Sequence, residues 1–138
     1  MYTGKERRLH ARYSAGNMSA SILIQDETGK QYFERVKAVD FNSIGMSIET
    51  NIELRIESKI KINISKGKDR LEDIICTVCY LEDQGNNNRY GLQFDFGANE
   101  YMCSEKVEET LVSMEKQMKK NQNSPYRAAY RRIKSRGR

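Results

Sequence analysis

The chain is poor in the residue types on which most enzymes and disulfide-rich proteins depend. Its 138 residues include no tryptophan, one proline, one histidine and three cysteines. An odd and small number of cysteines argues against a disulfide framework. The lone His10 lies among arginines, whose charge disfavours its protonated form, and neither a serine–histidine–acid set nor a glycine-rich phosphate loop is present. These absences predict a protein that is not an enzyme.

Long apolar runs are also missing from the sequence. No stretch of about eighteen consecutive apolar residues exists, so no segment is expected to span a membrane. The N-terminus is charged and lacks the apolar stretch of a secretory signal. We therefore expect a cytoplasmic protein.

The cysteines do not predict a metal site. Cys76 and Cys79 form a CxxC pair, but the pair lies in a strand-like run, where residues three apart point to opposite faces. The sequence has no second such pair and only one histidine. We predict neither a zinc site nor any other metal or cofactor.

Positive charge is concentrated at the two ends of the chain. The net charge is +5, but residues 1–12 carry +3 and residues 119–138 carry +8, which leaves −6 on residues 13–118. The basic tail has several interpretations: a solubilising segment, a contact with nucleic acid or an acidic membrane surface, or docking onto the acidic part of the chain. Composition alone leaves these open.

The middle of the chain has the period of β-strands. Residues 59–65 alternate isoleucine with polar residues, which is the pattern of a half-buried strand. Short runs of this kind, separated by turn residues, predict an antiparallel barrel or sandwich and not βαβ units. The predicted strands cover residues 18–25, 32–39, 46–50, 59–65, 72–82 and 89–96.

The period changes to that of a helix after Gly97. We predict a helix from Asn99 to about Lys120, with one apolar stripe formed by Val107, Leu111, Met114 and Met118. Acidic residues in its first turns and lysines in its last turns suit the helix dipole. The stripe packs either on the barrel or against a second copy of the chain, so a homodimer through this helix is an alternative.

Two short polar stretches carry the candidate binding chemistry. The first contains Arg7, Arg8 and Arg12, and arginine suits both phosphates and the edge of guanine because its planar fork donates two parallel hydrogen bonds. The second runs from Asp40 to Gly45, where short polar side chains at Asp40 and Asn42 offer hydrogen-bond acceptors. Gly45 permits backbone amides to approach a phosphate closely. A guanine nucleotide would use both stretches if the fold brought them together.

The two stretches resemble the signature of PilZ domains, the bacterial receptors for cyclic di-GMP. Arg8 and Arg12 match its RxxxR segment, with Arg7 as a preceding arginine, and Asp40 and Gly45 match the ends of its (D/N)xSxxG segment. Asn42 stands where that segment has serine. Residues Tyr90 to Phe94 look like the last barrel strand of the family. The resemblance implies a mainly β fold, an antiparallel six-stranded Greek-key barrel with a C-terminal helix, and it does not extend to the basic tail.

Together with the composition of the tail, this resemblance predicts four parts of the chain: an N-terminal arm with RxxxR at 1–17, a barrel at 18–97, a helix at 98–120, and a linker with a basic tail at 121–138. It implies that the arm folds over cyclic di-GMP and that the ordered complex signals to a protein partner controlling motility, exopolysaccharide or attachment. The implied ligand contacts are Arg7, Arg8, Arg12, Asp40, Asn42 and Gly45. Two alternatives stay open: a PilZ-like scaffold that binds only proteins, and nucleic-acid binding through the tail.

Overall fold

The fold is seven β-strands followed by one helix. We describe it from a computed structural model, in which residues 11–122 are described. Strand bounds follow the alternation of the sequence to within a few residues. The elements are β1 (Tyr13–Ser14), β2 (Ser19–Gln25), β3 (Gln31–Asn42), β4 (Gly45–Thr50), β5 (Lys59–Lys66), β6 (Asp69–Asp83), β7 (Asn88–Phe94) and α1 (Glu105–Gln122).

Six of the strands close into a barrel. Their antiparallel order is β3-β2-β5-β6-β7-β4, and β4 pairs with β3 to complete the ring. Residues 51–58 cross from β4 to β5, which are not neighbours in the barrel. The short β1 adds beside the end of β3, with Tyr13 opposite Phe41 and Ser14 opposite Asp40. The predicted mainly β, six-stranded antiparallel barrel is confirmed.

The barrel interior is filled by alternate residues of each strand. One row crosses four neighbouring strands through Phe41, Met46, Leu92 and Val78, and all four side chains are fully buried. The buried Cys76 and the exposed Cys79 confirm that the CxxC pair points to opposite faces.

The break predicted over residues 40–45 is shorter in the structure. Strand β3 continues through Asp40 to Asn42, and β4 begins at Gly45, so the turn consists of Ser43 and Ile44. The cause is side-chain capping, because the Asn42 side chain holds the turn closed. Asp40 is therefore a strand residue.

The residues predicted as the end of a free arm lie on the barrel. Ala11 and the residues after it approach β3, β1 pairs with β3, and Ala15 is buried in the core. The backbone N–H of Ala15 also donates to the carbonyl of Val39. Only the part of the arm before Ala11, with Arg7 and Arg8, lies outside the described residues.

Helix α1 begins later than predicted and packs on the barrel. It starts at Glu105 and not at Asn99, because Asn99 caps a separate turn by accepting the N–H of Met102, and Ser104 caps the helix itself. The predicted apolar stripe is buried within the chain at Val107, Leu111, Met114 and Met118. Pairing two chains through this stripe would require the helix to leave the barrel. The basic tail lies outside the described residues except for 121–122.

Over residues 11–122, no helical segment combines the length and the apolar character that crossing a membrane requires.

Candidate functional site

A β-bulge turns Asp40 to the outside of the barrel. Ala38 faces the core opposite Ile48, and uninterrupted alternation would point Asp40 inward as well. The register shifts between Ala38 and Asp40, so that Asp40 lies opposite Ser47, which in turn lies opposite Gly91. Directly opposed residues share a face of a sheet. Asp40, Ser47 and the α-carbon of Gly91 therefore form a row on the outer face, beside the buried row of Phe41.

The Asp40 carboxylate is bound by two arginines from distant parts of the chain. Arg12 Nη1 lies 3.2 Å from Asp40 Oδ1, and Arg89 Nη2 lies 2.9 Å from Asp40 Oδ2. Arg89 Nη2 also lies 3.4 Å from the hydroxyl of Ser47. The Asp40 side chain is only 13% exposed, so both ion pairs are shielded from water more than ordinary surface pairs. The cluster has a net charge of +1 and presents two guanidinium groups on one face.

The side chain of Asn42 holds the turn and the N-terminal segment together. Its Oδ1 accepts the backbone N–H groups of Ile44 and Gly45, both at 2.9 Å, and its Nδ2 donates to the carbonyl of Ala11 at 3.2 Å. The residue is 2% exposed. Asn42 thus serves the local structure, and its amide fixes the residue next to Arg12.

The same turn is held from the other side by helix α1. The Glu115 carboxylate accepts the backbone N–H of Ser43 at 2.7 Å. Together, Asn42 and Glu115 therefore satisfy three consecutive N–H groups, those of Ser43, Ile44 and Gly45. A run of backbone N–H groups at a turn is a favourable place for an anionic oxygen.

Gly45 is required by a close approach of the backbone. A Cβ at this position would lie 2.6 Å from the carbonyl oxygen of Leu92 and 3.5 Å from Arg12 Nη2. Any larger residue would collide with the β7 backbone, whereas the distance to the Arg12 guanidinium is that of ordinary contact. Glycine therefore lets β4 lie close to β7 at this point.

Tyr80 places an aromatic ring on the same face. A second bulge shifts the register between Val78 and Tyr80, so that Tyr80 lies opposite Gly91. Its ring occupies the space that a Cβ at Gly91 would fill. Because Gly91 belongs to the row of Ser47 and Asp40, the ring covers the outer face beside the arginine cluster.

Polar side chains continue this face toward β5. A row of directly paired residues crosses four successive strands through Gly45, Gln93, Thr77 and Lys59. Lys59 donates to Thr77 at 2.6 Å and to Asp95 at 2.7 Å, and its hydrogen bond lowers the pKa of the Asp95 carboxyl. The ammonium group is thus fixed above the sheet.

Exposed Cys79 also lies beside this row. Its thiol contacts the side chain of Gln93, and partial burial raises its pKa. Arg12 and Lys59 oppose that rise through their positive charges, as expected if the thiol lies between them.

Three of the surface grooves formed by residues 11–122 have volumes of about 390 to 520 Å³, and Arg12, Asp40 and Gly45 line none of these three. Within that same range, no group of three His, Cys, Asp or Glu side chains is placed to hold a metal ion.

Four of the six predicted contact residues come together. The turn of Ser43 and Ile44 is surrounded by Arg12, Asp40, Asn42 and Gly45. The other two predicted residues, Arg7 and Arg8, lie outside the described residues. Sequence reasoning missed two members of this face, which are Arg89 and Tyr80. For Arg89 a signal existed, because it precedes Gly91 by two residues in a strand and must share its face.

Comparison with known proteins identifies the same signature region. The family model described as PilZ domain matches residues 6–109 of this chain. That range includes both polar stretches, all seven strands and the start of α1. No curated protein sequence matches the chain.

Several solved structures share the fold at low sequence identity. The PilZ domain of YcgR from Escherichia coli, solved with c-di-GMP, is 16% identical with a TM-score of 0.57, covering 83% of this chain and 93% of that one. The K. pneumonia MrkH–c-di-GMP complex is 15% identical with a TM-score of 0.59, covering 83% of this chain and 55% of that one. The Legionella protein Lpg0364 is 14% identical with a TM-score of 0.53, covering 83% of this chain and 100% of that one.

Proposed function

This chain belongs to the PilZ domain family, and on that premise we propose that it is a receptor for cyclic di-GMP. The match to the family model establishes the family, and the proposal concerns the ligand. It is supported by the YcgR PilZ domain and MrkH, which share the fold and were solved with this nucleotide. No catalytic step is part of the proposal.

The observation that carries the proposal is the pair of arginines held on one face by Asp40. Cyclic di-GMP has two phosphates, and a guanidinium group donates two parallel hydrogen bonds to such an anion. Each charge-assisted hydrogen bond contributes about 1.5–3 kcal/mol. Arg12 is already directed toward this face by Asp40, so less side-chain entropy is lost when it binds.

The bases would be recognised by the remaining groups of the same face. Each Asp40 oxygen has a second lone pair, which can accept from the N1–H and N2–H₂ edge of guanine. The Tyr80 ring offers a flat apolar surface on which a purine can stack. Asn42 and Gly45 support this arrangement by shaping the turn, since both polar atoms of the Asn42 side chain already have partners within the protein.

Arg7 and Arg8 would complete the site from the N-terminal arm. Residues 11–15 already contact β3 and the barrel core, so the proposed folding of the arm over the ligand concerns the residues before Ala11. Fixing each residue costs about 1–2 kcal/mol, which several charge-assisted bonds must offset.

A change at the turn can reach helix α1 through Glu115. The Glu115 carboxylate binds the N–H of Ser43 in the middle of the turn, 72 residues away in sequence. Ligand binding that moves this turn would alter the contact and with it the surface near α1. We propose that a protein partner reads this surface and that the complex controls motility, exopolysaccharide or attachment.

Calorimetric titration of the full chain with cyclic di-GMP, alongside GTP and cyclic GMP, tests the proposal. We expect micromolar or tighter affinity for cyclic di-GMP alone, and a loss of at least about 30-fold in Arg8→Ala and in Arg12→Ala. Arg35→Ala is the matched control, because Arg35 is an exposed arginine on the β2–β3 hairpin and removes the same charge.

Two outcomes would contradict the proposal. Absence of binding by the wild-type chain would favour the scaffold alternative, in which the fold acts by protein contacts alone. Equal loss in Arg35→Ala and Arg12→Ala would indicate nonspecific attraction to net charge instead of a site.

A further inference from the structure

Arg89 differs from the other arginines of the site in how it is held. It comes from β7, within the barrel, and its Nη2 contacts both Asp40 Oδ2 at 2.9 Å and the Ser47 hydroxyl at 3.4 Å. Its side chain is 25% exposed, and its Nε is buried without a hydrogen-bond partner among residues 11–122. Arg89 is therefore a fixed cation that faces Asp40 from the barrel side.

Arg12 contacts the same carboxylate from the opposite direction. It lies in the N-terminal segment just before β1 and binds the other oxygen, Asp40 Oδ1, at 3.2 Å. Each carboxylate oxygen of Asp40 thus has one guanidinium partner. The shorter contact belongs to the barrel arginine, and the longer one belongs to the arginine of the family signature.

This sharing matters when a ligand arrives. An anion that draws Arg12 away from Asp40 breaks one of the two ion pairs. Without Arg89, that exchange would leave a carboxylate that is 13% exposed with no cation from residues 11–122 beside it, and an uncompensated shielded charge is strongly unfavourable. With Arg89 in place, Asp40 keeps a partner throughout.

We propose that Arg89 is a positioning residue that keeps Asp40 neutralised, so that Arg12 is free to transfer to a phosphate of the ligand. The inference rests on the proposed function and extends it to a residue outside the signature. Arg89 acts through Asp40 and Arg12 and need not touch the nucleotide. Its removal leaves Asp40 with Arg12 as its only described cation, which holds Arg12 more tightly in the ligand-free protein.

The test combines affinity with the motion of Arg12. Arg89→Gln keeps the first part of the side-chain stem but removes the charge and the Nη2 donor that contacts Asp40, because glutamine ends two bonds short of that atom. Arg89→Lys restores a charge without the fork. Cyclic di-GMP affinity is measured by calorimetry, and rotation of the Arg12 guanidinium is measured by nitrogen-15 NMR without ligand. Arg35→Gln is the control, and thermal unfolding verifies each fold; Arg89→Met replaces Arg89→Gln if the latter does not fold.

We expect Arg89→Gln to weaken affinity about ten-fold or more and to slow Arg12 rotation, with Arg89→Lys recovering part of both effects. Affinity within about two-fold of wild type would overturn the inference while leaving the proposed function intact. Weaker affinity with unchanged or faster Arg12 rotation would also overturn the inference. That result would indicate that Arg89 contacts the nucleotide directly or that its loss loosens the structure around the site. A wild-type chain that does not bind would instead refute the proposed function, and this inference with it.

Discussion

Replacing Asn42 should lower stability in steps that follow the hydrogen bonds lost. Asn42 stands where the family signature has serine, and the structure gives its side chain three protein partners: the N–H groups of Ile44 and Gly45 and the carbonyl of Ala11. Serine can accept from the turn, but its hydroxyl is one bond shorter than the amide and cannot also serve the Ala11 carbonyl. Alanine can do neither.

The expected magnitudes follow from which groups lose their partners. In Asn42→Ala the buried Gly45 N–H is left unpaired, whereas the N–H of the exposed Ile44 can find water. Counting about 1–3 kcal/mol for the buried orphaned group and about 1 kcal/mol for each of the two other lost bonds gives a loss of about 3–5 kcal/mol. Asn42→Ser loses mainly the Ala11 bond, which corresponds to about 1–1.5 kcal/mol.

Urea unfolding followed by circular dichroism measures these differences. With a slope of about 2 kcal/mol per molar urea, the midpoint should fall by roughly 1.5–2.5 M in Asn42→Ala and by roughly 0.6 M in Asn42→Ser. Asn86→Ser, in the exposed β6–β7 turn, is the matched control and should leave the midpoint unchanged. A midpoint for Asn42→Ser equal to that of wild type would refute the reasoning, because the Ala11 bond would then contribute nothing.

Three further predictions concern other parts of the site and its surroundings. Gly91→Ala forces the Tyr80 ring from its position and should cost about 1–3 kcal/mol in urea unfolding, whereas the same change in a Tyr80→Ala background should cost much less. A thiol reagent at neutral pH should label Cys79 and Cys103 in the native protein but Cys76 only after unfolding, since Cys76 is buried and burial raises its pKa; native labelling of three thiols, counted by mass spectrometry, would contradict this. Lys59→Met should raise the pKa of Asp95, because the Lys59 hydrogen bond is what lowers it, and a carbon-13 NMR titration that finds the same Asp95 pKa in both proteins would be inconsistent with that contact.

The strand-forming segments and the chemistry of the two stretches could be predicted from the sequence. Alternation of apolar and polar residues located all six barrel strands, because burial on one face repeats every second residue. The stripe of α1 followed in the same way from its helical period. The signature residues were recognisable because RxxxR and (D/N)xSxxG are defined by residue type and by spacing along the chain, which the sequence displays directly.

The partners of those residues were decided only in three dimensions. Alternation carried past Ala38 would point Asp40 inward, but the extra residue at the β3 bulge turns Asp40 outward. Alternation carried past Val78 would place Cys79 opposite Gly91, but the extra residue at the β6 bulge places Tyr80 opposite Gly91 instead. Arg89 meets Asp40 across 49 residues of sequence, and Glu115 meets Ser43 across 72. Local patterns fix which side of a strand a residue faces between bulges, whereas the register between strands and the docking of α1 determine which residues meet.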